Sequence, residues 1–320
     1  MNNLKSRRAF IVGLSSTKIT NKERLFLRKY KPWGVILFAR NIKSVDQTKK
    51  LTNDIKKIFK DSKYPILIDE EGGMVTRIRS IIDNSHFPAK YFGDNYKKDK
   101  TKSLLYLRTY IKQISHLLRY MGISINTVPV LDISRPFTSK VIGTRAISKD
   151  INVINKIGEK TIEHFKEARI ATVIKHIPGH GLAKSDSHLK LPIVDKTYEY
   201  LMKNDFKTFK NKKSLFAMTA HILFRKIDAN NPVTHSSKII GIIKKKIKFK
   251  NLIISDDISM KALKFNITLN TIKAFTAGCD LVLHCNGKIK EMTKVAENSK
   301  KLNKFIIEKT LKYYRLVGND

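Results

Sequence analysis

Cysteine is nearly absent: Cys279 and Cys285 are the only two among 320 residues. They flank the apolar run Leu281-Val282-Leu283 at a spacing that matches no Cys-x-x-Cys metal or redox motif. A disulfide framework is therefore excluded, and two buried thiols in a reducing compartment are expected.

Acidic residues are scarce as well. Asp and Glu total 27 against 64 Lys and Arg, a formal net charge of +37. Such a balance first suggests nucleic acid or an anionic membrane surface as partner. The lysines are scattered, however, as in Thr48-Lys49-Lys50, Ile55-Lys56-Lys57 and Lys244-Lys245-Lys246. No basic arm, zinc-finger spacing or aromatic RNA-binding signature accompanies them, and the chain is heavy in Lys, Asn and Ile, as AT-rich coding sequences are. The charge reads as solvated surface, with a weaker reading in which it draws acidic substrates.

Long apolar runs are missing. None reaches membrane-crossing length. The run from Ala9 to Leu14 is too short for a signal-peptide core and is interrupted by Ser15-Ser16-Thr17-Lys18. A soluble, cytoplasmic protein with no membrane or nucleic-acid partner is expected. Linkers, low-complexity tracts and short repeats are also absent. With 42% apolar and 9% aromatic residues the core is ample, and residues 1–320 read as one catalytic domain of barrel size.

What is present is a rhythm. Short apolar runs recur at residues 10–14, 35–38, 66–68, 124–131, 172–174, 215–218, 252–254 and 281–283. Several are continuous rather than alternating, as in strands buried on both faces. Between most of them lie segments of helical period at 21–30, 45–59, 103–120, 151–168, 198–209 and 236–247. Eight strands alternating with helices predict an α/β fold, a single (β/α)8 barrel of the TIM type. The loops after the fifth and sixth strands read as the longest.

Active sites of such barrels form at the carboxyl ends of the strands. Those ends carry Asp69-Glu70-Glu71, Asp132, Lys175-His176, His221 and Asp256-Asp257. Acids, a lysine and histidines converging on one face make an enzyme site, a hydrolase or lyase acting on a polar substrate.

Three motifs stand out. In Asp69-Glu70-Glu71-Gly72-Gly73 the glycine pair permits a sharp turn; Asp69 can accept from sugar hydroxyls, and Arg77 can donate to them. In Lys175-His176-Ile177-Pro178-Gly179-His180-Gly181 the first two residues end a strand and point into the mouth. Downstream, Asp186-Ser187-His188 places Asp186 two residues before His188. In an extended segment the two share a face, so Asp186 can fix the His188 tautomer and raise its proton affinity, as suits a general acid/base. A metal site is the rival reading of these histidines, but their spacing matches no zinc signature. In Ser255-Asp256-Asp257-Ile258-Ser259-Met260, Asp256 ends a hydrophobic strand, where a carboxylate can attack an anomeric carbon or stabilise an oxocarbenium-like transition state. Asp257 better suits the cap of the next helix.

Together these motifs resemble glycoside hydrolase family 3 and, more narrowly, its bacterial cytoplasmic β-N-acetylhexosaminidases of peptidoglycan recycling. Asn126-Thr127-Val128-Pro129-Val130-Leu131-Asp132, Ile142-Gly143-Thr144-Arg145 and Ala277-Gly278-Cys279-Asp280-Leu281-Val282-Leu283 extend the likeness from about Phe10 to Asn286. The resemblance implies a barrel and a retaining double displacement. Asp256 matches the nucleophile. His188 matches the acid/base, with Asp186 as its partner in place of the second carboxylate of most glycosidases. Asp69, Arg77, Arg145, Lys175 and His176 match sugar-binding positions. No metal or organic cofactor is implied. The implied substrate is a small carbohydrate, N-acetylglucosaminyl-1,6-anhydro-N-acetylmuramic acid with or without its peptide, handled by a monomer.

Other members take the acid/base from a further domain. This chain ends soon after its eighth strand, which favours the loop acid/base and an N-acetylhexosaminidase. A β-glucosidase or β-xylosidase, or a non-catalytic basic barrel that binds nucleic acid, are the alternatives. Met74, Ile177 and Ile147 depart from the residues usual in relatives (Arg, Phe and an aromatic, respectively).

Overall fold

A computed structural model describes residues 2–187 and 189–318. Eight strands close into a parallel barrel: β1 Arg8–Gly13, β2 Pro32–Leu37, β3 Ile66–Ile68, β4 Ile125–Asn126, β5 Ala171–Ile177, β6 Phe216–Thr219, β7 Leu252–Asp257 and β8 Leu281–His284. Each strand pairs with its sequence neighbours, and β8 closes on β1 with Phe10 opposite Val282 and Val12 opposite His284. All eight overlap runs expected from the sequence. Their residues are buried almost without interruption, because helices cover the outer face while side chains fill the interior.

The expected helices are found at Asn21–Tyr30, Val45–Phe59, Lys100–Tyr120, Ile151–Glu167 and Ser237–Lys245. The segment expected at 198–209 splits into an α-helix at Tyr198–Lys203 and a 3-10 turn at Asp205–Phe209. Helices at Ala89–Lys98, Ile267–Ala277, Ile289–Glu297 and Lys304–Val317 were not anticipated. A small parallel pair, Ile193–Val194 with Leu223–Phe224, lies outside the barrel. Among the described residues no helix is long and apolar enough to cross a membrane.

The fourth strand is shorter than its apolar run. Val128 N–H turns back to the Asn126 carbonyl (2.9 Å), Pro129 has no N–H to donate, and the chain meets β5 again only at Val130, opposite Lys175. This lengthens the following connection. The longest loops on the catalytic face accordingly follow β3, β4 and β5, at 69–88, 127–150 and 178–197, rather than β5 and β6.

Candidate active site

Six of the residues nominated from sequence line one pocket of about 290 Å³ at the carboxyl end of the barrel: Asp69, Arg77, Arg145, Lys175, His176 and Asp256. Three barrel strands supply four of these residues directly. Asp69 follows β3, Lys175 and His176 lie in β5, and Asp256 lies in β7. Arg145 comes from a 3-10 turn at Gly143–Arg145, and Arg77 from the loop after β3.

That loop is folded around Glu70. Its buried carboxylate accepts the backbone N–H groups of Arg77 (2.6 Å) and Ile78 (3.3 Å) and the Thr76 hydroxyl (3.1 Å). Gly72 turns through φ 77°, and a Cβ there would come within 2.4 Å of the Phe87 carbonyl oxygen, so only glycine fits. Arg77 is thereby delivered to Asp69 at 2.7 Å. The Arg77 guanidinium also lies over the Phe38 ring at the pocket wall.

The floor is a closed ion network. Lys175 Nζ contacts Asp69, Glu71 (2.6 Å) and the Thr127 hydroxyl (2.8 Å). Arg145 holds Glu71 with two hydrogen bonds, 2.7 and 2.8 Å. His176 Nδ1 meets Asp132 at 2.7 Å, so Nδ1 donates to that carboxylate, and Nε2 lies 3.4 Å from the Arg145 guanidinium. Burial alone would push the Asp69 carboxyl up, but Lys175, Arg77 and Arg145 hold it well below the usual carboxylate range. Glu71 is lowered in the same way, its burial outweighed by Arg145 and Lys175. Asp132 is lowered against its burial by His176. Asp69, Glu71 and Asp132 therefore stay ionised, and Asp69, Arg77, Arg145, Lys175 and His176 of this network line the pocket.

Asp256 is different. It is half-buried, and among the described residues its carboxylate accepts only the Asp257 N–H, at 2.8 Å. Burial pushes its carboxyl up, yet His221 and His176 keep it below the ordinary value, so it is ionised at neutral pH. It is the pocket carboxylate with oxygen lone pairs to spare. Asp257 caps the turn that follows it, accepting the N–H (3.0 Å) and hydroxyl (2.9 Å) of Ser259. It does not cap the next helix, which starts at Ile267 behind Asn266.

The Asp-x-His segment is only partly described. His188 lies outside the described residues. Asp186 is half-buried and does not line the pocket, whereas its neighbour Ser187 does. The segment is not extended at Asp186: its carbonyl accepts from Leu189 and Lys190 N–H (3.1 Å each), so a turn begins there. Glu71, Asp132, Thr127 and His180 belong to the site but were not nominated. Glu71 and Asp132 had been read as strand-end acids, and that position was the signal that finds them. Among the described residues no group of three or more His, Cys, Asp or Glu could hold a metal ion.

A barrel mouth that sets a carboxylate with one hydrogen bond among the described residues beside a closed ion network has the chemistry that hydrolysis of a polar, multiply hydroxylated substrate requires. Residues 4–313 match the model of the glycosyl hydrolase family 3 N-terminal domain, and the chain belongs to that family, a family of glycoside hydrolases. A beta-hexosaminidase of Methylobacillus flagellatus is 32% identical over 282 residues, covering 86% of this chain and 80% of that protein. A beta-hexosaminidase of Idiomarina loihiensis is 30% identical over 287 residues, 87% of this chain and 84% of that protein. NagZ from Neisseria gonorrhoeae, solved in complex with N-trifluoroacetyl-D-glucosamine, superposes with a TM-score of 0.87 at 25% identity, over 98% of this chain and 90% of that one. A family 3 beta-N-acetylglucosaminidase from Paenibacillus gives the same TM-score at 23% identity, over all of this chain and 64% of that one, a likeness of fold.

Proposed function

We propose that the chain is a β-N-acetylhexosaminidase, specifically a retaining exo-β-N-acetylglucosaminidase. The observation that carries the reading is the contrast between Asp256, ionised with lone pairs free, and the saturated acids around it. Pocket size supports exo action: about 290 Å³ sits at the lower edge of the roughly 300–1,000 Å³ typical of ligand pockets. The relatives' names support the sugar, as does the N-trifluoroacetyl-D-glucosamine held by the NagZ neighbour.

In this reading Asp69, Arg77, Arg145, Lys175 and His176 hold the terminal sugar. An Asp256 oxygen attacks C1 as the glycosidic C–O bond breaks, and His188 gives its proton to the departing oxygen. Water then attacks C1 of the covalent intermediate, His188 takes the proton, and the C1–Asp256 bond breaks with net retention. Asp186 keeps His188 in the required tautomer. No metal or organic cofactor takes part. The barrel of residues 1–320 is the catalytic domain and works as a cytoplasmic monomer. The natural substrate is N-acetylglucosaminyl-1,6-anhydro-N-acetylmuramic acid, with or without its peptide, in cell-wall recycling; its carboxylates suit a basic protein surface. Neither nucleic acid nor membrane is a partner.

The test is release of an aryl chromophore from a β-N-acetylglucosaminide and a β-glucoside. Cleavage of the first alone, abolished in Asp256→Asn and much reduced in His188→Ala, is expected. Preference for the glucoside would make this another family 3 exo-β-glycosidase, and no cleavage of either would leave a non-catalytic barrel.

A further inference from the structure

The loop that carries the histidines has a fixed stem. The Gly181 carbonyl accepts the Thr138 hydroxyl (2.7 Å), and the Ala183 carbonyl accepts the Ser139 N–H (2.9 Å). Against this stem lies a bidentate Arg135–Asp205 pair, 2.9 and 2.8 Å. The packing is close enough that a Cβ on Gly181 would fall 2.2 Å from the Ile133 carbonyl oxygen.

The tip of the loop returns to the barrel at Ser187. Its carbonyl accepts the Ala262 N–H at 3.2 Å, on the loop that follows Asp256. Its hydroxyl lies 3.4 Å from His180 Nε2. Ser187 and His180 are 4% and 3% exposed, and both line the pocket. His180 also reaches the floor, because its backbone N–H donates to Asp132 at 2.6 Å, the carboxylate that orients His176. One residue therefore joins the ion network of the floor to the turn above it. The His180 ring has no other anchor of this kind: Nδ1 is buried without a hydrogen-bond partner among the described residues. Burial and the neighbouring His176 push the imidazole down to about 4, so at neutral pH the ring is uncharged, with one nitrogen donating and one accepting.

We propose that His180 is a positioning residue for the acid/base: through the Ser187 hydroxyl it fixes the backbone at Ser187, the residue that precedes the acid/base in sequence. The inference rests on the role given to His188 above. Ser187 is covalently joined to residue 188, and its two contacts tie that point at once to the floor and to the loop after the nucleophile. At 3.4 Å the contact is long for a hydrogen bond, as catalytic contacts without substrate often are.

The signature of a misplaced general acid is a dependence on the leaving group. Dinitrophenolate departs without a proton, whereas phenolate needs one. Ser187→Ala and His180→Ala are expected to lower kcat/KM on phenyl β-N-acetylglucosaminide by about 10- to 100-fold, and on the dinitrophenyl analogue by less than about threefold, a share of the roughly 10²–10⁴-fold that general acid catalysis supplies. The double variant is expected to be no worse than the poorer single one, since the pair acts as a unit. His180→Gln, whose amide can donate to the Ser187 hydroxyl, should recover part of the loss. Ser187→Ala, a change in a turn, carries the test if His180→Ala fails to fold. Equal losses on both substrates, or none, would overturn the proposal. His188→Ala is the control: a leaving-group dependence there but not in Ser187→Ala defeats this inference alone, and its absence in His188→Ala defeats the acid/base assignment and this inference with it.

Discussion

Two buried arginine–carboxylate pairs sit at opposite ends of the same barrel. At the carboxyl end Arg145 grips Glu71 at 2.7 and 2.8 Å, beside an open pocket. At the amino end Arg7, fully buried, meets Asp61 at 2.5 Å and Tyr314 at 3.1 Å. The lower guanidinium also lies over the rings of Tyr64 (4.7 Å) and Phe59 (5.6 Å). The local chemistry of the two pairs is similar, but their surroundings differ. The lower pair is roofed by aromatic rings and ties the start of β1 to the helices at Val45–Phe59 and Lys304–Val317. The upper pair shares Glu71 with Lys175, and both cations line the pocket. In barrels of this kind the carboxyl end carries chemistry and the amino end carries stability. The pairs teach that a buried ion pair becomes a site only where packing leaves its outer edge uncovered.

The largest effect expected concerns the upper end. Asp256→Asn should lower kcat by at least about 10³-fold, as loss of a covalent nucleophile does, with little change in the melting temperature; steady-state rates beside a thermal melt check both halves. At the lower end the division reverses. Arg7→Ala removes the fully buried guanidinium and the charge partner of the half-buried Asp61, which keeps only the Tyr314 hydroxyl and the Lys63 N–H, and should cost up to about 3–5 kcal/mol of stability, while kcat/KM of the folded protein stays within about twofold, as read by urea unfolding and assay below the transition. An equal loss of activity would break the comparison. Glu71→Gln comes next. It removes the charge that Arg145 and Lys175 share, and kcat/KM should fall by about 10- to 100-fold through misplaced sugar contacts, chiefly in KM.

The smallest effect is a pH dependence of stability. His180 and His235 are pushed down to about 4 by burial, and His221 is lowered by burial as well. Their folded values lie below the unfolded value near 6.5, so the unfolded chain binds more protons as pH falls. Their stabilising contribution is complete above about pH 6.5 and drains away toward pH 4. Thermal melts from pH 7 to pH 4.5 should show a steady fall, blunted in His235→Phe. A flat profile would show that these rings are more accessible than their packing implies.

Much of this was legible in the sequence. All eight strands announced themselves because a strand buried on both faces is a continuous apolar run. Helices with one apolar stripe, such as Val45–Phe59, were equally plain. The helix at Ile267–Ala277 was missed because its apolar residues surround it, and Ala89–Lys98 because it carries few apolar residues and Gly93, which packs against the Ile147 carbonyl. Four of the six pocket-lining nominees, Asp69, Lys175, His176 and Asp256, were found because strand ends converge; Arg77 and Arg145 lie on loops and came from their motifs. Glu71 and Asp132 escaped assignment because what they do, holding Lys175, Arg145 and His176, depends on side-chain pairing across strands, which no spacing encodes. The turn at Asp186 was likewise invisible to a rule that assumes an extended chain.

The most direct test of the account is to trap the intermediate with a slow-turnover fluorinated N-acetylglucosaminide and locate the added mass by tandem fragmentation of the peptide containing Ser255-Asp256-Asp257. The account predicts one sugar per chain, attached at Asp256. Attachment at Asp257 or Asp69, or turnover with inversion and no covalent adduct, would contradict it.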